Sequence, residues 1–213
     1  MATVRDTHGL ELEILIVDDD SGDGIEDAVR ATGHAWVRVL VRRRERGLAT
    51  AVVHGLRAAS HSTFVVMDAD LSHPPEAIPA MLAALEAGAE FVVGSRFCDG
   101  GSTDAEWTLG RRLNSRVATL LARPLTKVKD PMSGFFAFRR PILDRAGVLD
   151  PLGYKIGLEI LVRARCENVA EVPIHFSDRS KGTSKLSWAV RGEYLRHLYR
   201  LMRAKSVRTA HSP

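Results

Sequence analysis

Cysteine is scarce in this sequence, with two residues, Cys98 and Cys166, among 213. They lie far apart and show neither the paired spacing of a metal site nor the density of a disulfide framework. A small secreted domain held by disulfides is therefore excluded, and a reducing compartment is favoured. Aromatic residues are also few, at 6%, and they do not alternate with basic residues as in a nucleic-acid-binding module. Nucleic acid is therefore not an expected partner.

Long apolar runs are missing as well. No segment of the sequence approaches the ~18 consecutive apolar residues that a membrane-spanning helix needs. Residues 1–13 are polar and lack the apolar core of a signal peptide. We therefore expect a cytoplasmic protein, or one that is peripheral at the cytoplasmic face of a membrane.

The overall composition is that of one α/β domain with a full core. Hydrophobic residues make up 45% of the chain and charged residues 26%, which is ordinary for a folded domain of this length. The net charge is +4, but basic residues crowd the loop at 42–46 and the segment from Lys181 onward. Such clusters suit a phosphorylated substrate or an anionic membrane surface, with nucleic acid ranked last.

Segments typical of strands and helices alternate along the chain. Strands are predicted at 12–17, 36–41, 63–67, 90–93, 134–138 and 169–176, and helices at 24–31, 48–59, 75–87, 109–122, 155–166 and 186–202. Strands separated by helices indicate an α/β fold with a mainly parallel sheet flanked by helices. We predict one domain at 1–185, followed by a basic amphipathic helix and tail at 186–213.

Two acids, Asp68 and Asp70, end the apolar strand at 63–67. Their mutual repulsion requires a positive charge nearby. A divalent cation that carries a diphosphate would supply it, because hard cations bind carboxylate and phosphate oxygens. Ligands of open α/β sheets bind outside the carboxyl ends of the strands, so this pair predicts a nucleotide-sugar and metal site. The alternative is a helix N-cap beside a surface acid, since Pro74-Pro75 begins the next helix.

Several further motifs follow in a defined order. They are V-D-D-D-S from Val17, G-L-A-T-A from Gly47, M-D-A-D-L-S-H-P from Met67, G-S-R-F from Gly94, the arginines at 111–116, D-P-M-S-G-F from Asp130, G-Y-K from Gly153 with Glu159, and F-S-D-R from Phe176 with Gly182, Ser184, Lys185 and Leu186. The ordered set resembles the family 2 glycosyltransferases, and among them the dolichyl- and polyprenyl-phosphate mannosyltransferases. The resemblance extends from Glu13 to about Arg203.

The resemblance implies a GT-A type nucleotide-sugar-binding fold and an inverting transfer of mannose from GDP-mannose to a polyprenyl or dolichyl phosphate. Members of the family open with a further strand and a Pro-x-Tyr-Asn-Glu loop that helps to hold the base, and this sequence begins after that loop. We therefore expect the first family strand to be missing and one strand edge to be unpaired. Two alternatives stay open, a UDP-sugar donor and a non-catalytic paralogue or subunit that binds lipid phosphate.

For the donor, the resemblance assigns Mg²⁺ or Mn²⁺ to Asp68 and Asp70, with Ser72 as a weaker ligand. The metal would act as a Lewis acid on the diphosphate. The resemblance also implies that Asp18 and Asp19 bind the donor, the second of them near the base or ribose. The alternative for this second pair is that they are acids of the turn that follows.

The lipid phosphate needs cations, and the matching basic positions are Arg96, Arg111, Arg179 and Lys185. Arginine forks suit phosphate oxygens, and lysine supplies a point charge. Because a phosphate acceptor is largely ionised at neutral pH, we assign no general base. Asp130, which precedes the Ser133-Gly134 turn, is expected to orient the site.

The remaining predicted substrate-binding residues are Ser133, Lys155 and Glu159, and the predicted catalytic set is Asp70, Arg96, Asp130 and Arg179. Glu159 lies in an apolar helix, where a buried carboxylate needs a partner. That partner is either a basic residue of the site or a structural arginine. His73, beside Pro74, is interpreted as part of a turn and not as a ligand.

The tail at 186–202 combines apolar residues with Arg191, Arg196 and Arg200, and Arg203 follows directly. A basic amphipathic helix of this kind can lie in a membrane interface, and the alternative is a helix packed on the sheet. The stand-alone catalytic type of the family works with a membrane protein. The resemblance therefore also implies a membrane-anchoring subunit as a partner.

Overall fold

The computed structural model describes residues 1–104, 109–150, 155–177 and 188–209. The helices are α1 (Ala2–His8), α2 (Ile25–Thr32), α3 (Leu48–Ala58), α4 (Ile78–Glu86), α5 (Leu109–Ala122), α6 (Arg140–Ala146), α7 (Ile156–Arg163) and α8 (Trp188–Thr209). The strands are β1 (Ile14–Asp18), β2 (Val37–Val41), β3 (Thr63–Val66), β4 (Phe91–Ser95), β5 (Ser102–Thr103), β6 (Phe136–Arg139), β7 (Val169–Pro173) and β8 (His175–Phe176). Among these described residues, no helix combines the length and apolarity that crossing a bilayer requires.

Four strands form the main sheet in the order β3-β6-β4-β7. Strands β3 and β4 both pair antiparallel with β6, while β4 and β7 pair parallel. Three of the four strands therefore share one direction, which confirms the mainly parallel sheet, and β6 is the reversed strand. The central position of β6 was not predicted, because strand order depends on pairing between segments far apart in sequence.

Strands β1 and β2 form a separate parallel pair, in register from Ile14 opposite Val37 to Asp18 opposite Val41. Helix α3 packs closely on β1, since a Cβ on Gly55 would lie 3.1 Å from Cγ2 of Val17. Within the described residues, β1 pairs with β2 alone. The expected unpaired strand edge is therefore present.

Phenylalanine rings from the main sheet form the centre of the core. The ring of Phe91 stacks on those of Phe136 and Phe138, with centroids 5.4 and 5.5 Å apart. A Cβ on Gly157 would come within 2.8 Å of the Phe136 ring, so α7 can lie directly on β6 only because this position is glycine. The same core buries Tyr194 and Leu198 of α8, so one side of the tail helix packs on the domain. The predicted boundary after residue 185 lies outside the described residues.

Four elements differ from the prediction, and the first is the short strand β5, which lies where no strand was predicted. The last predicted strand is divided, because β7 ends at Pro173 and β8 pairs with β5. Helix α6 was missed, although Pro141 in its first turn and Gly147 at its end, with a φ of 68°, are typical helix boundaries. Helix α1 was also missed, since Val4 is its one buried residue and gives no periodic signal.

Candidate active site

The turn after β3 holds the two acids of the predicted metal site. The Asp70 carboxylate accepts hydrogen bonds from the backbone amide and the hydroxyl of Ser72, at 3.1 and 2.5 Å. The backbone amide of Asp68 donates to Nδ1 of His73 at 3.1 Å. Burial lowers the pKa of His73, and a ring whose Nδ1 accepts a hydrogen bond carries its proton on Nε2. His73 therefore shapes the turn, in agreement with the interpretation from sequence.

The donor set at this turn fits a hard divalent cation. Asp68 and Asp70 offer carboxylate oxygens, and Mg²⁺ commonly binds one or two carboxylates together with substrate phosphates. In the part of the chain that the structure describes, no group of three or more His, Cys, Asp or Glu side chains is arranged to hold a metal. The Ser72 hydroxyl is buried and donates to Asp70, so its role in this geometry is to orient that carboxylate.

Arg96 and Asp130 form a buried ion pair at the end of β4. The guanidinium donates from Nε and Nη2 to the two carboxylate oxygens, at 2.7 and 2.8 Å, and the backbone amide of Arg96 donates at 3.1 Å. The Asp130 side chain is 0% exposed, and its own amide donates to Glu171 of β7 at 3.1 Å. A carboxylate held in this way orients the arginine, which supports the orienting role predicted for Asp130.

The aromatic ring of Phe176 lies between the turn after β3 and this ion pair. Its centroid is 5.3 Å from the His73 ring and 5.3 Å from the guanidinium carbon of Arg96. The Ser133-Gly134 turn closes the same site, because a Cβ on Gly134 would lie 3.5 Å from both Asp68 carboxylate oxygens. The structure therefore brings the predicted residues of three separate motifs together.

Ser133 and Lys155 stabilise this turn through backbone groups. The Ser133 hydroxyl donates to the carbonyl of Gly94 at 2.7 Å, which fastens the turn to β4. The Lys155 amine donates to the carbonyl of Met132 at 2.6 Å. Burial lowers the pKa of Lys155 to about 7, with the nearby Arg96 charge acting in the same direction and the Asp130 and Asp68 charges opposing it. An anionic substrate placed here would favour the charged amine.

A second cluster of charges surrounds Asp19 at the ends of β1 and β2. The carboxylate of Asp19 pairs with Arg42 and accepts a hydrogen bond from the amide of Gly47 at 2.7 Å. Arg42 is 5% exposed and also donates to the hydroxyl of Thr50 at 2.8 Å. Asp18 accepts from the backbone amide of Ser21 at 3.0 Å, and that hydrogen bond lowers the pKa of Asp18. Asp18 is therefore an acid of the turn that follows β1, which was the alternative to donor binding. Asp19 is instead held by Arg42 beside α3.

Arg42 is a residue of this cluster that the sequence analysis missed, because it was counted with the exposed arginines of its loop. The signal was its position directly after β2, at the carboxyl end of a strand. The neighbouring residues 43–48 are exposed, as expected for a charged loop.

Comparisons with known proteins assign this chain to a family. A model described as glycosyl transferase family 2 matches residues 1–147. The chain belongs to this family. It is 44% identical to the dolichol-phosphate mannosyltransferase of Pyrococcus furiosus over 201 residues, which are 92% of this chain and 56% of that protein. It is 45% identical to the enzyme of the same name from Mycosarcoma maydis over 196 residues, or 90% of this chain and 67% of that protein.

Solved structures agree on the fold. Glucosyl-3-phosphoglycerate synthase of Mycobacterium tuberculosis, in complex with phosphoglyceric acid, superposes with a TM-score of 0.63 at 20% identity, covering 91% of this chain and 69% of that one. A complex of the same synthase with Mn²⁺, UDP and glucosyl-3-phosphoglycerate superposes with a TM-score of 0.62 at 24% identity, covering 91% and 68%. The family 2 chain therefore has the predicted GT-A-like fold. It spans 56% of the length of the Pyrococcus relative.

Four other residues of this family 2 chain were predicted to be catalytic or to bind substrate. Arg179 and Lys185 lie outside the described residues, and Arg111 is placed on the first turn of α5 by its backbone alone. Glu159 is 1% exposed and accepts a hydrogen bond from Nε of Arg163 at 2.8 Å, with Nε2 of His197 at 3.4 Å. The alternative of a structural arginine is therefore the one that the structure shows, and Glu159 connects α7 to α8.

The lowered pKa of Lys155 predicts a pH-dependent stability. In the folded protein the Lys155 amine is mostly protonated only below about pH 7. In the unfolded chain its pKa is 10.5, so it stays mostly protonated up to about pH 10. Within that window the unfolded state binds more protons, so the contribution of Lys155 to stability rises with pH. We expect Lys155→Met to flatten the rise in the free energy of unfolding between about pH 7 and about pH 10. Urea unfolding across this range measures it.

The matched control is Lys129→Met, which makes the same exchange at an exposed lysine paired with Asp99. If the free energy of unfolding depended on pH equally in the Lys155→Met variant and its parent, the lowered pKa of Lys155 would be contradicted.

Proposed function

We propose that this chain transfers mannose from GDP-mannose to a polyprenyl or dolichyl phosphate, with inversion at the anomeric carbon. The observation that carries the proposal is the assembly, around Phe176, of the acids Asp68 and Asp70 with the Arg96 guanidinium and the Lys155 amine. A site of this kind can receive a metal-bound diphosphate and a second phosphate. The family and the names of the two relatives support the same reaction.

For the donor, Asp68 and Asp70 would hold Mg²⁺ or Mn²⁺, which supplies a Lewis acid to the departing diphosphate. Before substrate arrives, the Ser72 hydroxyl orients the Asp70 carboxylate by donating to it, and His73 Nδ1 holds the backbone of Asp68 by accepting a hydrogen bond from its amide. Such preorganisation avoids rearrangement during the reaction. Asp19, oriented by Arg42, is proposed to contact the nucleoside, as the resemblance implies.

For the acceptor, Arg96 provides a guanidinium whose orientation Asp130 determines. Two anions must approach each other here, because the lipid phosphate attacks beside a diphosphate, and fixed cations reduce that repulsion. Lys155 adds charge when the phosphates bind, since their charge favours its protonated form. Arg111, Arg179 and Lys185 are proposed to contact the lipid phosphate. An ionised phosphate oxygen needs no general base, so Asp130 keeps its orienting role.

The proposed acceptor is a lipid, so the chain must work at a membrane surface. We place it at the cytoplasmic face, where nucleotide sugars are available, with α8 as a membrane-contacting element and a separate membrane-anchoring subunit as a partner. The net charge of +4 and the basic tail favour anionic lipid.

The test is a transfer assay with purified protein and short-chain polyprenyl phosphate in detergent, in parallel with GDP-mannose, UDP-glucose and UDP-N-acetylglucosamine. We expect a mannosylated lipid from GDP-mannose, detected by mass spectrometry, and at least ~10-fold less product from either UDP-sugar, because a site that pairs with one base rejects another strongly. Product from a UDP-sugar alone would assign a different donor. Lipid phosphate binding without any transfer would indicate a non-catalytic subunit.

A further inference from the structure

Glu171 interrupts an apolar strand. The sequence from Val169 reads V-A-E-V-P-I, with Glu171 as its one charged residue, and the side chain is half-buried. A carboxylate at such a position needs a partner. Its partners are backbone amides, since Oε2 accepts a hydrogen bond from the amide of Lys129 at 2.8 Å and Oε1 accepts one from the amide of Asp130 at 3.1 Å. Glu171 therefore holds two consecutive amides, one with each oxygen.

These two hydrogen bonds fix one end of the turn at 130–133. The other end is fixed by the Ser133 hydroxyl, which donates to the carbonyl of Gly94 at 2.7 Å. Within the turn, the amide of Ser133 donates to the carbonyl of Asp130 at 3.3 Å. Glu171 lies on β7 and Gly94 on β4, and these strands pair with each other. The sheet therefore determines the position of the Asp130 backbone.

The Asp130 side chain connects this backbone to Arg96. Its two oxygens accept hydrogen bonds from Nε and Nη2 of the guanidinium, at 2.7 and 2.8 Å. A two-point contact of this kind determines the direction of the arginine fork as well as its distance. A shift of the Asp130 backbone therefore turns the guanidinium. Because each oxygen of Glu171 is engaged by an amide, its effect on the guanidinium passes through Asp130.

We propose that Glu171 is a positioning residue for the acceptor, which holds Asp130 and thereby keeps the Arg96 guanidinium in place for the lipid phosphate. The inference rests on the proposed function, in which Arg96 contacts that phosphate. A carboxylate suits this task, because two amide donors need two acceptor oxygens. Glutamine would supply one oxygen and turn an N–H donor towards the second amide.

The donor side of the site is attached separately. The Ser72 hydroxyl donates to the Asp70 carboxylate at 2.5 Å. Nδ1 of His73 accepts a hydrogen bond from the amide of Asp68 at 3.1 Å. Neither bond involves Glu171. A change at Glu171 should therefore affect the use of polyprenyl phosphate and leave the use of the nucleotide sugar unchanged, which a general loosening of the fold would not do.

The test is Glu171→Gln in the full chain, with KM measured for polyprenyl phosphate and for GDP-mannose in detergent. Binding of short-chain polyprenyl phosphate is measured in parallel by isothermal titration calorimetry. We expect KM and Kd for the polyprenyl phosphate to rise at least ~5-fold, because a turned arginine fork binds phosphate oxygens less well. The KM for GDP-mannose should stay within about 2-fold of the parent value. Unchanged values for the lipid phosphate, or an equal rise for both substrates, would overturn the proposal.

The matched control is Glu90→Gln, which makes the same exchange at the other end of the same two strands. Glu90 directly precedes β4, and its Oε2 accepts hydrogen bonds from the amides of Glu167 and Asn168 before β7, at 2.7 and 3.2 Å. Circular dichroism and urea unfolding confirm that both variants are folded. We expect Glu90→Gln to leave both KM values unchanged. A raised KM for the lipid phosphate in this variant too would assign the effect to loosened strands and contradict a positioning role.

A second background tests whether Glu171 acts through Arg96. Arg96→Lys keeps a positive charge but replaces the fork by a point charge, so the direction given by Asp130 matters less. In this background Glu171→Gln should change Kd for the lipid phosphate less than about 2-fold, as expected for residues that act as one unit. A full further loss would show that Glu171 acts by another route. A parent that binds polyprenyl phosphate without transferring mannose would remove the proposed reaction, and the binding measurements would still decide the role of Glu171.

Discussion

Replacement of Asp70 by asparagine is expected to lower mannosyl transfer at least ~100-fold, which corresponds to about 2.7 kcal/mol of lost stabilisation of the departing diphosphate. The asparagine keeps an oxygen that can accept the hydrogen bonds from Ser72, so the turn after β3 should retain its shape. What disappears is one negative charge at the place where a divalent cation is proposed to bind. Initial rates with both substrates saturating measure the effect.

The control for this variant is Asp27→Asn, which removes a carboxylate from an exposed ion pair with Arg30 on α2 and should leave transfer unchanged. The parent enzyme should also lose activity in EDTA and regain it with Mg²⁺ or Mn²⁺. A fully active Asp70→Asn variant, or a parent indifferent to EDTA, would show that no metal acts at this turn.

Truncation of Arg96 to alanine should lower the free energy of unfolding by about 3–5 kcal/mol, because it leaves a buried carboxylate without its partner. Asp130 is 0% exposed and accepts two side-chain hydrogen bonds from Arg96. Removal of the arginine deletes both bonds, whereas the bond from the Arg96 backbone amide can persist. Urea unfolding followed by circular dichroism measures the loss.

The control is Arg30→Ala, since its exposed pair with Asp27 should contribute less than about 1 kcal/mol. The double variant Arg96→Ala with Asp130→Ala completes a cycle that isolates the interaction between the two side chains. We expect the double variant to be more stable than Arg96→Ala alone, because it no longer buries an unpaired charge. Additive losses would mean that the two residues do not act as a pair.

The sequence predicted most elements of secondary structure because their signals are local. Alternation of apolar strands and helices extends over windows of a few residues, and most predicted elements are present. The reversed strand β6 and the division between β7 and β8 were not accessible in this way, since both depend on which distant strands pair. Helix α6 was accessible through Pro141 and Gly147 and was missed.

The same difference between local signals and long-range pairing applies to the site. Asp68, Asp70, Arg96 and Asp130 were all identified from motifs, but the pairing of Arg96 with Asp130 was not. The clearest example is Glu159, whose burial in an apolar helix is visible in the sequence. Its contact with His197 joins residues of different helices, α7 and α8, and no local pattern indicates it.

By itself, the sequence determined which residue types end each strand, and with them the family and the acids available to a metal. Tertiary structure decided how the charges are used. Arg42 is buried against Asp19 and not part of a solvated loop, and Asp130 serves Arg96. The physical reason is that a strand's carboxyl end follows from chain order, whereas an ion pair depends on which distant segment packs against it.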